Sequence, residues 1–275
     1  MNYRHAFHAG NFADLVKHAA LTALLDAFTA GPGPLTVIDS HAGAGGYDLT
    51  GEMARRTGEA ARGVFRLMAA EDAPAAFDAL KAAVRAANPG GGVGVYPGSP
   101  SLIAARLRRG DRYIACELRE DDHALLAGAL APFAGATAVR ADGYATAEAS
   151  VPAKGPVLVL IDPPFERADD YARTATTLAA VLARNPGACV AVWLPLKDLE
   201  TFDAFLRRVE PFAPGLLVAE ARLKPLTDPM TMNGCAMVIA GAPAGVEAPL
   251  RAACDWVVSR LGEPGGRAEV WTTDS

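Results

Sequence analysis

The chain has 275 residues, 51% of them hydrophobic, which is enough to fill one large α/β core or one domain carrying an inserted subdomain. Its formal net charge of −5 excludes a wholly basic surface that grips phosphates, while local basic clusters stand at Arg55-Arg56, Arg106-Arg108-Arg109 and Arg207-Arg208. Cys116, Cys189, Cys235 and Cys254 form no CxxC pair and read as reduced core residues, so neither a disulfide framework nor a metal site is expected.

Met1 to His5 lacks the apolar stretch of a signal peptide, and no uninterrupted apolar segment reaches the roughly 18 residues of a membrane span. A soluble cytoplasmic protein is therefore expected. Asn11 is placed to cap a helix over Phe12 to Phe28, which Gly31-Pro32-Gly33-Pro34 ends. A short β-type run, Leu35 to Asp39, leads straight into the glycine-rich loop His41 to Gly46. From Met53 to Ala87 the pattern is helical with no strand inside it, which predicts a small helical insertion closed by the glycine-rich turn at Pro89 to Gly94. Ser99 is then expected to cap a helix that begins at Pro100.

Alternation follows: a strand over Arg112 to Leu118, a helix through Leu130, a strand over Ala136 to Arg140, a short helix after Gly143, and a buried strand over Val157 to Ile161. A helix over Asp170 to Ala183, a strand over Ala188 to Leu194 and a helix near Asp198 to Arg208 come next. The last two strands, Gly215 to Leu223 and Cys235 to Gly241, have no helix-length pattern between them and should form a hairpin. Alternating units of this kind predict a mostly parallel sheet covered by helices on both faces. Seven strands with the hairpin last outline a Rossmann-like seven-stranded methyltransferase fold.

Open α/β sheets bind ligands beyond the carboxyl ends of their strands, where strand order reverses. Four successive strand ends here carry polar or glycine signals: Asp39 with the glycine loop, Glu117, Asp142-Gly143, and Asp162-Pro163-Pro164-Phe165. Taken alone, the glycine loop is equally a tight turn, and it fails G-x-G-x-x-G because Asp48 stands at the last position. Glu117 could be a solvated strand end, or it could accept hydrogen bonds from the two ribose hydroxyls of an adenosyl group. Asp142 could open a simple turn or bond an adenine amino group, with Gly143 allowing close backbone approach.

Asp162 to Phe165 is the most informative segment. The lone pair of an exocyclic amino nitrogen is delocalised into the base, so the nitrogen is a poor nucleophile. A carboxylate and a backbone carbonyl that accept its protons would draw it toward tetrahedral geometry. Pro163 and Pro164 stiffen the loop and leave the Pro163 carbonyl able to accept. Phe165 can stack on a base, and Asp162 can take the proton that methylation releases.

On composition alone the N-terminal stretch Tyr3 to Asn11 reads as a surface segment. The whole set of segments, however, resembles the RlmJ family of 23S rRNA (adenine-N6)-methyltransferases. The likeness runs through Tyr3-Arg4-His5, Phe7 to Asn11, Lys17-His18, Asp39 to Gly45, Arg56 to Glu59 and Tyr96 to Pro100, and on through Glu117, Arg140 to Gly143, Ile161 to Phe165 and the Met230-Thr231 loop before Gly234.

The resemblance implies that His18, His41, Ser99, Glu117, Asp142, Gly143 and Asp162 contact S-adenosylmethionine. It also implies that Asp162 is the catalytic acceptor, that Tyr3 meets the RNA, and that His5 and Lys17 lie near the active site on the substrate side. This makes the N-terminal stretch functional. Phe165 stands where a tyrosine is common in the family, and stacking needs only the ring. Residues 1–275 are then a single methyltransferase domain, and the insertion at about residues 50–98 is a candidate RNA-binding subdomain. A monomer that acts on 23S rRNA is expected, with no metal and no membrane attachment.

The alternatives are a guanine-N2 rRNA methyltransferase, which shares the Asp-Pro-Pro-aromatic motif, and a DNA adenine-N6 methyltransferase, for whose base-reading domain there is no room. A nicotinamide-dependent oxidoreductase is disfavoured by the failed glycine pattern and the final hairpin. A non-catalytic RNA-binding module would have no use for Asp162 beside a cofactor loop.

Overall fold

The computed structural model describes residues 4–273. After a 3-10 turn at His5–Phe7, helix α1 (Phe12–Ala30) begins at the expected cap, where the Asn11 side chain accepts from the Asp14 amide. Strand β1 (Thr36–Asp39) and the glycine loop follow, then β2 (Gly46–Asp48). The insertion is helical but broken: α2 (Glu52–Thr57), α3 (Glu59–Arg62), α4 (Val64–Ala69), a 3-10 turn at Ala75–Phe77 and α5 (Asp78–Ala87). Gly58, at positive φ, ends α2. Strand β3 (Val95–Pro97) returns antiparallel to β2, so a two-stranded ribbon that the sequence did not reveal closes the base of the insertion.

The insertion does not hang free. Val64, Leu67, Phe77, Leu80 and Val84 are fully buried in the same core as α1, and the Phe77 ring meets Trp256 at 5.4 Å. Beyond it come α6 (Ser99–Ala104), β4 (Arg112–Cys116), α7 (Glu120–Leu130), β5 (Ala136–Val139), α8 (Gly143–Ser150), β6 (Val157–Ile161), α9 (Asp170–Arg184), β7 (Cys189–Leu196), α10 (Leu199–Val209), β8 (Leu217–Arg222) and β9 (Gly234–Ala240). Two further elements close the described chain, α11 (Glu247–Leu261) and β10 (Arg267–Thr272).

The main sheet has the order β10-β8-β9-β7-β6-β1-β4-β5. The expected seven strands are present, and β9 inserts antiparallel between β7 and β8, as the hairpin requires. An eighth strand, β10, extends the edge antiparallel to β8. Each of the five residues of β6 is buried, as a central strand covered on both faces demands.

The chain leaves β1 toward β4 on one side and toward β6 on the other. That reversal opens a crevice at the carboxyl ends of the parallel strands. Helix α1 packs on α11 and β9, and this contact aims its first two turns at the crevice. Among the described residues, no helix is long and apolar enough to cross a membrane.

Candidate active site

The parallel strands stop at one edge, and their loops enclose a cavity of about 390 Å³, within the range of small-molecule sites. His5, Lys17, His18, His41, Ser99, Glu117, Asp142, Gly143, Asp162, Pro163 and Phe165 all line it. Tyr3 lies outside the described residues.

Two glycines let the backbone turn tightly here. Gly43 has φ +66°, and a Cβ there would come within 2.1 Å of the Tyr47 hydroxyl. At Gly143 a Cβ would sit 1.7 Å from the Ser40 carbonyl oxygen, so only glycine allows α8 to begin against the end of β1.

Ser99 departs from expectation. Gly98 is the cap and Ser99 is the first residue of α6, without capping. Its hydroxyl instead donates to Asp39 Oδ2 at 2.7 Å, because β1 ends a fully buried carboxylate beneath this turn. Burial pushes the Asp39 carboxyl up to about 6, against the lowering effect of that hydrogen bond.

Glu117 follows the last residue of β4, half-buried, and one oxygen accepts from the Arg119 amide at 2.7 Å. Burial raises its pKa. Asp142 is both the cap of α8, accepting from Ala145, and the partner of Arg173 at 2.7 Å. Burial pushes its carboxyl up, but the Arg173 hydrogen bond and those of the cap outweigh this and hold it below its usual range. Each oxygen has two lone-pair directions, so these contacts leave Asp142 able to accept again.

His18 is 1% exposed; its Nδ1 meets the Tyr96 hydroxyl at 2.8 Å, while Nε2 is buried with no protein partner. Burial lowers it to about 3, so the ring is neutral near pH 7. His41 is likewise held down to about 4 by burial; it meets Ser40 Oγ at 2.8 Å and the Tyr144 ring edge-on. An orphaned buried nitrogen in a cavity wall implies a ligand polar atom that satisfies it. The carboxylates of Glu117 and Asp142 and the close backbone approach at Gly43 and Gly143 add acceptors and room of the kind S-adenosylmethionine requires, so the residues present fit that group.

At the other end of the cavity lies a chain of charge. The Lys17 ammonium, 6% exposed, donates to Asp14 Oδ1 at 2.8 Å and to Asp162 Oδ2 at 2.6 Å. Burial alone would lower its pKa, but the two carboxylates raise it well above the usual value. Asp14 also meets His5 Nε2 at 3.0 Å. Asp14 was not singled out from the sequence, because an Asp-Lys pair three apart on a helix reads as an ordinary surface pair. Phe165 takes a positive φ of 50°, uncommon for a bulky residue, and its ring lies against Tyr171 at 4.6 Å and Trp193 at 6.1 Å. Arg173 and Tyr144 also line the cavity, the guanidinium standing 4.4 Å from the ring centroid, and no spacing in the sequence announced that pair.

The reversed strand β9 and a polar cavity at the carboxyl edge of the parallel strands mark a Rossmann-like, S-adenosylmethionine-dependent methyltransferase. A family model described as "Ribosomal RNA large subunit methyltransferase D, RlmJ" matches residues 32–273. The chain is 32% identical to "Ribosomal RNA large subunit methyltransferase J" of Escherichia coli K12, over 95% of this chain and 94% of that protein. It is 29% identical to the protein of the same name in Haemophilus influenzae, over 100% and 98% of the two chains. The crystal structure of protein LPL1258 from Legionella pneumophila superposes with a TM-score of 0.89 at 25% identity, covering 97% of this chain and 98% of that one. The chain belongs to the RlmJ family of ribosomal RNA large subunit methyltransferases.

Proposed function

We propose that this chain methylates the exocyclic N6 of an adenine in 23S rRNA, in the cytoplasm, with Asp162 as the acceptor of the amino protons. Membership of the RlmJ family supports the reaction and the RNA class. The observation that carries the residue assignment is the convergence of Asp162, Pro163 and Phe165 with His18, His41, Ser99, Glu117, Asp142 and Gly143 on one cavity. When bound, S-adenosylmethionine supplies an electrophilic methyl group on a sulfonium.

The residues divide the remaining work. Glu117, Asp142 and the backbone at Gly143 hold the adenosyl end, and His18, His41 and Ser99 line the path toward the methionine end. Asp162 and the Pro163 carbonyl accept hydrogen bonds from the amino group, which turns the nitrogen lone pair toward the methyl carbon. Asp162 would take the proton that the nitrogen releases on methylation. Much of the rate then comes from positioning. Phe165 offers a ring face to the base.

Lys17 holds the acceptor carboxylate in place from behind, and His5 with Tyr3 belongs to the substrate side. We also expect a monomer that needs no metal. An adenine inside a helix must be extruded at a cost of about a few kcal/mol, which favours an unpaired or bulged target. The insertion, residues 50–98, offers Arg55 and Arg56 to solvent, with Arg56 over the Phe7 ring of the N-terminal segment. We assign RNA binding to that face.

Single-turnover transfer of a labelled methyl group to unmodified 23S rRNA tests the assignment of Asp162. Asp162→Asn should keep cofactor binding and lower the transfer rate about 10²- to 10⁴-fold. Unchanged turnover in that variant would remove Asp162 from the chemistry.

A further inference from the structure

Asp14 lines the cavity, yet the chemistry above leaves it without a task. It lies in the first turn of α1 and is 1% exposed. Burial would push such a carboxyl up, but His5 and Lys17 hold it well below the usual range. Its Oδ2 accepts from the Gly10 amide at 2.9 Å and meets His5 Nε2 at 3.0 Å, while Oδ1 accepts from the Lys17 ammonium at 2.8 Å. The same ammonium reaches Asp162 Oδ2 at 2.6 Å. One buried cation therefore bridges a buried carboxylate from the first helix and a partly buried one from the loop after β6.

Stability alone does not call for this arrangement. Well-packed apolar residues often replace a buried ion pair with no loss of stability, because both charges must be desolvated. A positioning task does account for it. A lysine ammonium is a point charge on a flexible four-carbon stem, and with one partner alone it can be met from several rotamers. A second, rigid partner removes that freedom. Asp14 is rigid: the Gly10 amide and His5 hold one of its oxygens, and its backbone is inside a capped helical turn.

We propose that Asp14 is a positioning residue for methyl transfer: it anchors the Lys17 ammonium so that Asp162 is held by Oδ2 and offers Oδ1 to the amino group. The proposal rests on the reading of Asp162 as acceptor. Asp14 touches neither substrate nor cofactor in this scheme, and acts through Lys17. It also ties the N-terminal segment, through His5 and Gly10, to the carboxylate that accepts the proton. A displacement of about 1 Å at a reacting group can cost a hundredfold in rate, which sets the scale of the effect.

The test is Asp14→Asn, made in the wild-type chain and in a Lys17→Met chain, with single-turnover methyl transfer and cofactor Kd measured for each. In the wild-type background the transfer rate should fall about tenfold or more, with cofactor Kd within about twofold. In the Lys17→Met background the same substitution should have no further effect, because residues that act as one unit are not additive. A rate within about twofold of wild type, or an equal fold-loss in both backgrounds, would overturn the proposal.

If Asp14→Asn does not fold by circular dichroism, Asp14→Glu replaces it, keeping the charge but moving it by one methylene. A clear loss of rate at unchanged cofactor Kd then supports positioning, and wild-type turnover overturns it. Asp162→Asn in parallel separates the two claims. If Asp162→Asn retains turnover, the acceptor reading has failed. If only Asp162→Asn loses it, the inference about Asp14 has failed and the acceptor reading stands.

Discussion

In one half of the main sheet β5, β4, β1, β6 and β7 run parallel, and the loops beyond their carboxyl ends deliver Asp142, Glu117, His41 and Asp162 to a single edge. In the other half β9, β8 and β10 alternate in direction, and none of their strand residues lines the cavity, to which the loop between β8 and β9 adds Met232. Parallel strands bring successive loops to the same edge, whereas antiparallel ones send alternate loops to opposite edges, so convergence of chemistry is confined to the first half. The second half works at one remove. It seats α1 against β9 and α11, and α1 in turn carries Asp14, Lys17 and His18 into the cavity.

Substitutions in the two halves should therefore separate stability from binding. The largest effect on stability is expected at Met237, fully buried in β9: Met237→Ala should cost about 2–5 kcal/mol in urea unfolding. Cofactor Kd and turnover per folded molecule should not move; a large rise in Kd for the folded protein would show that the antiparallel half shapes the site directly. Glu117→Gln, at the parallel edge, should do the opposite. It should weaken cofactor binding by about tenfold, the scale of one hydrogen bond to a charged group, while the unfolding midpoint stays close to wild type. Equal cofactor affinity in isothermal titration would remove Glu117 from the adenosyl site.

The pH dependence of stability sharpens the same contrast, since the shifted histidines His18 and His41 both line the cavity. The two histidines have folded pKa values of about 3 and about 4, below the unfolded value of 6.5. The unfolded chain then binds more protons between about 4 and 6.5, and their contribution is full above 6.5 and lost as pH falls through that window. Asp39, raised to about 6, opposes this over about 4 to 6, because there the folded state holds the extra proton. His18→Gln should flatten the acid-side loss of stability, and an unchanged pH profile would contradict the neutral buried ring.

The smallest effect is expected outside the cavity lining. Replacing Arg55 and Arg56 with Gln should weaken RNA binding a few-fold and reduce the salt dependence by about two phosphate contacts, with cofactor affinity unaltered. Equal RNA affinity at low salt would clear that face of a role.

The parallel half was the more legible in sequence. Buried parallel strands read as apolar runs, and each ended in an acid or a glycine, so β1, β4, β5 and β6 and their site residues could be placed in order. Most of the cavity wall followed from that order together with the family resemblance. The hairpin β8–β9 was readable because only a loop separates its strands. The elements that escaped have weaker signatures. In β10, an edge strand, only Val270 is buried, and α11 is rich in alanine and opens with Pro249 in its first turn. β2 and β3 are three residues each, one beginning in the glycine loop and the other following the glycine turn. The break of the insertion into short helices follows from Gly58 and Gly63, which the overall helical pattern masked. Asp14 escaped for another reason: its pairing with Lys17 reads as an ordinary surface pair, and only folding brings Asp162, far along the chain, to that same lysine.

The most direct test of the proposed reaction is to incubate the protein with labelled S-adenosylmethionine and 23S rRNA lacking this modification, then digest the RNA and identify the labelled nucleoside by mass spectrometry. N6-methyladenosine is the expected product. N2-methylguanosine, or no transfer to RNA despite measurable cofactor binding, would contradict the assignment of adenine N6 as the group that meets Asp162.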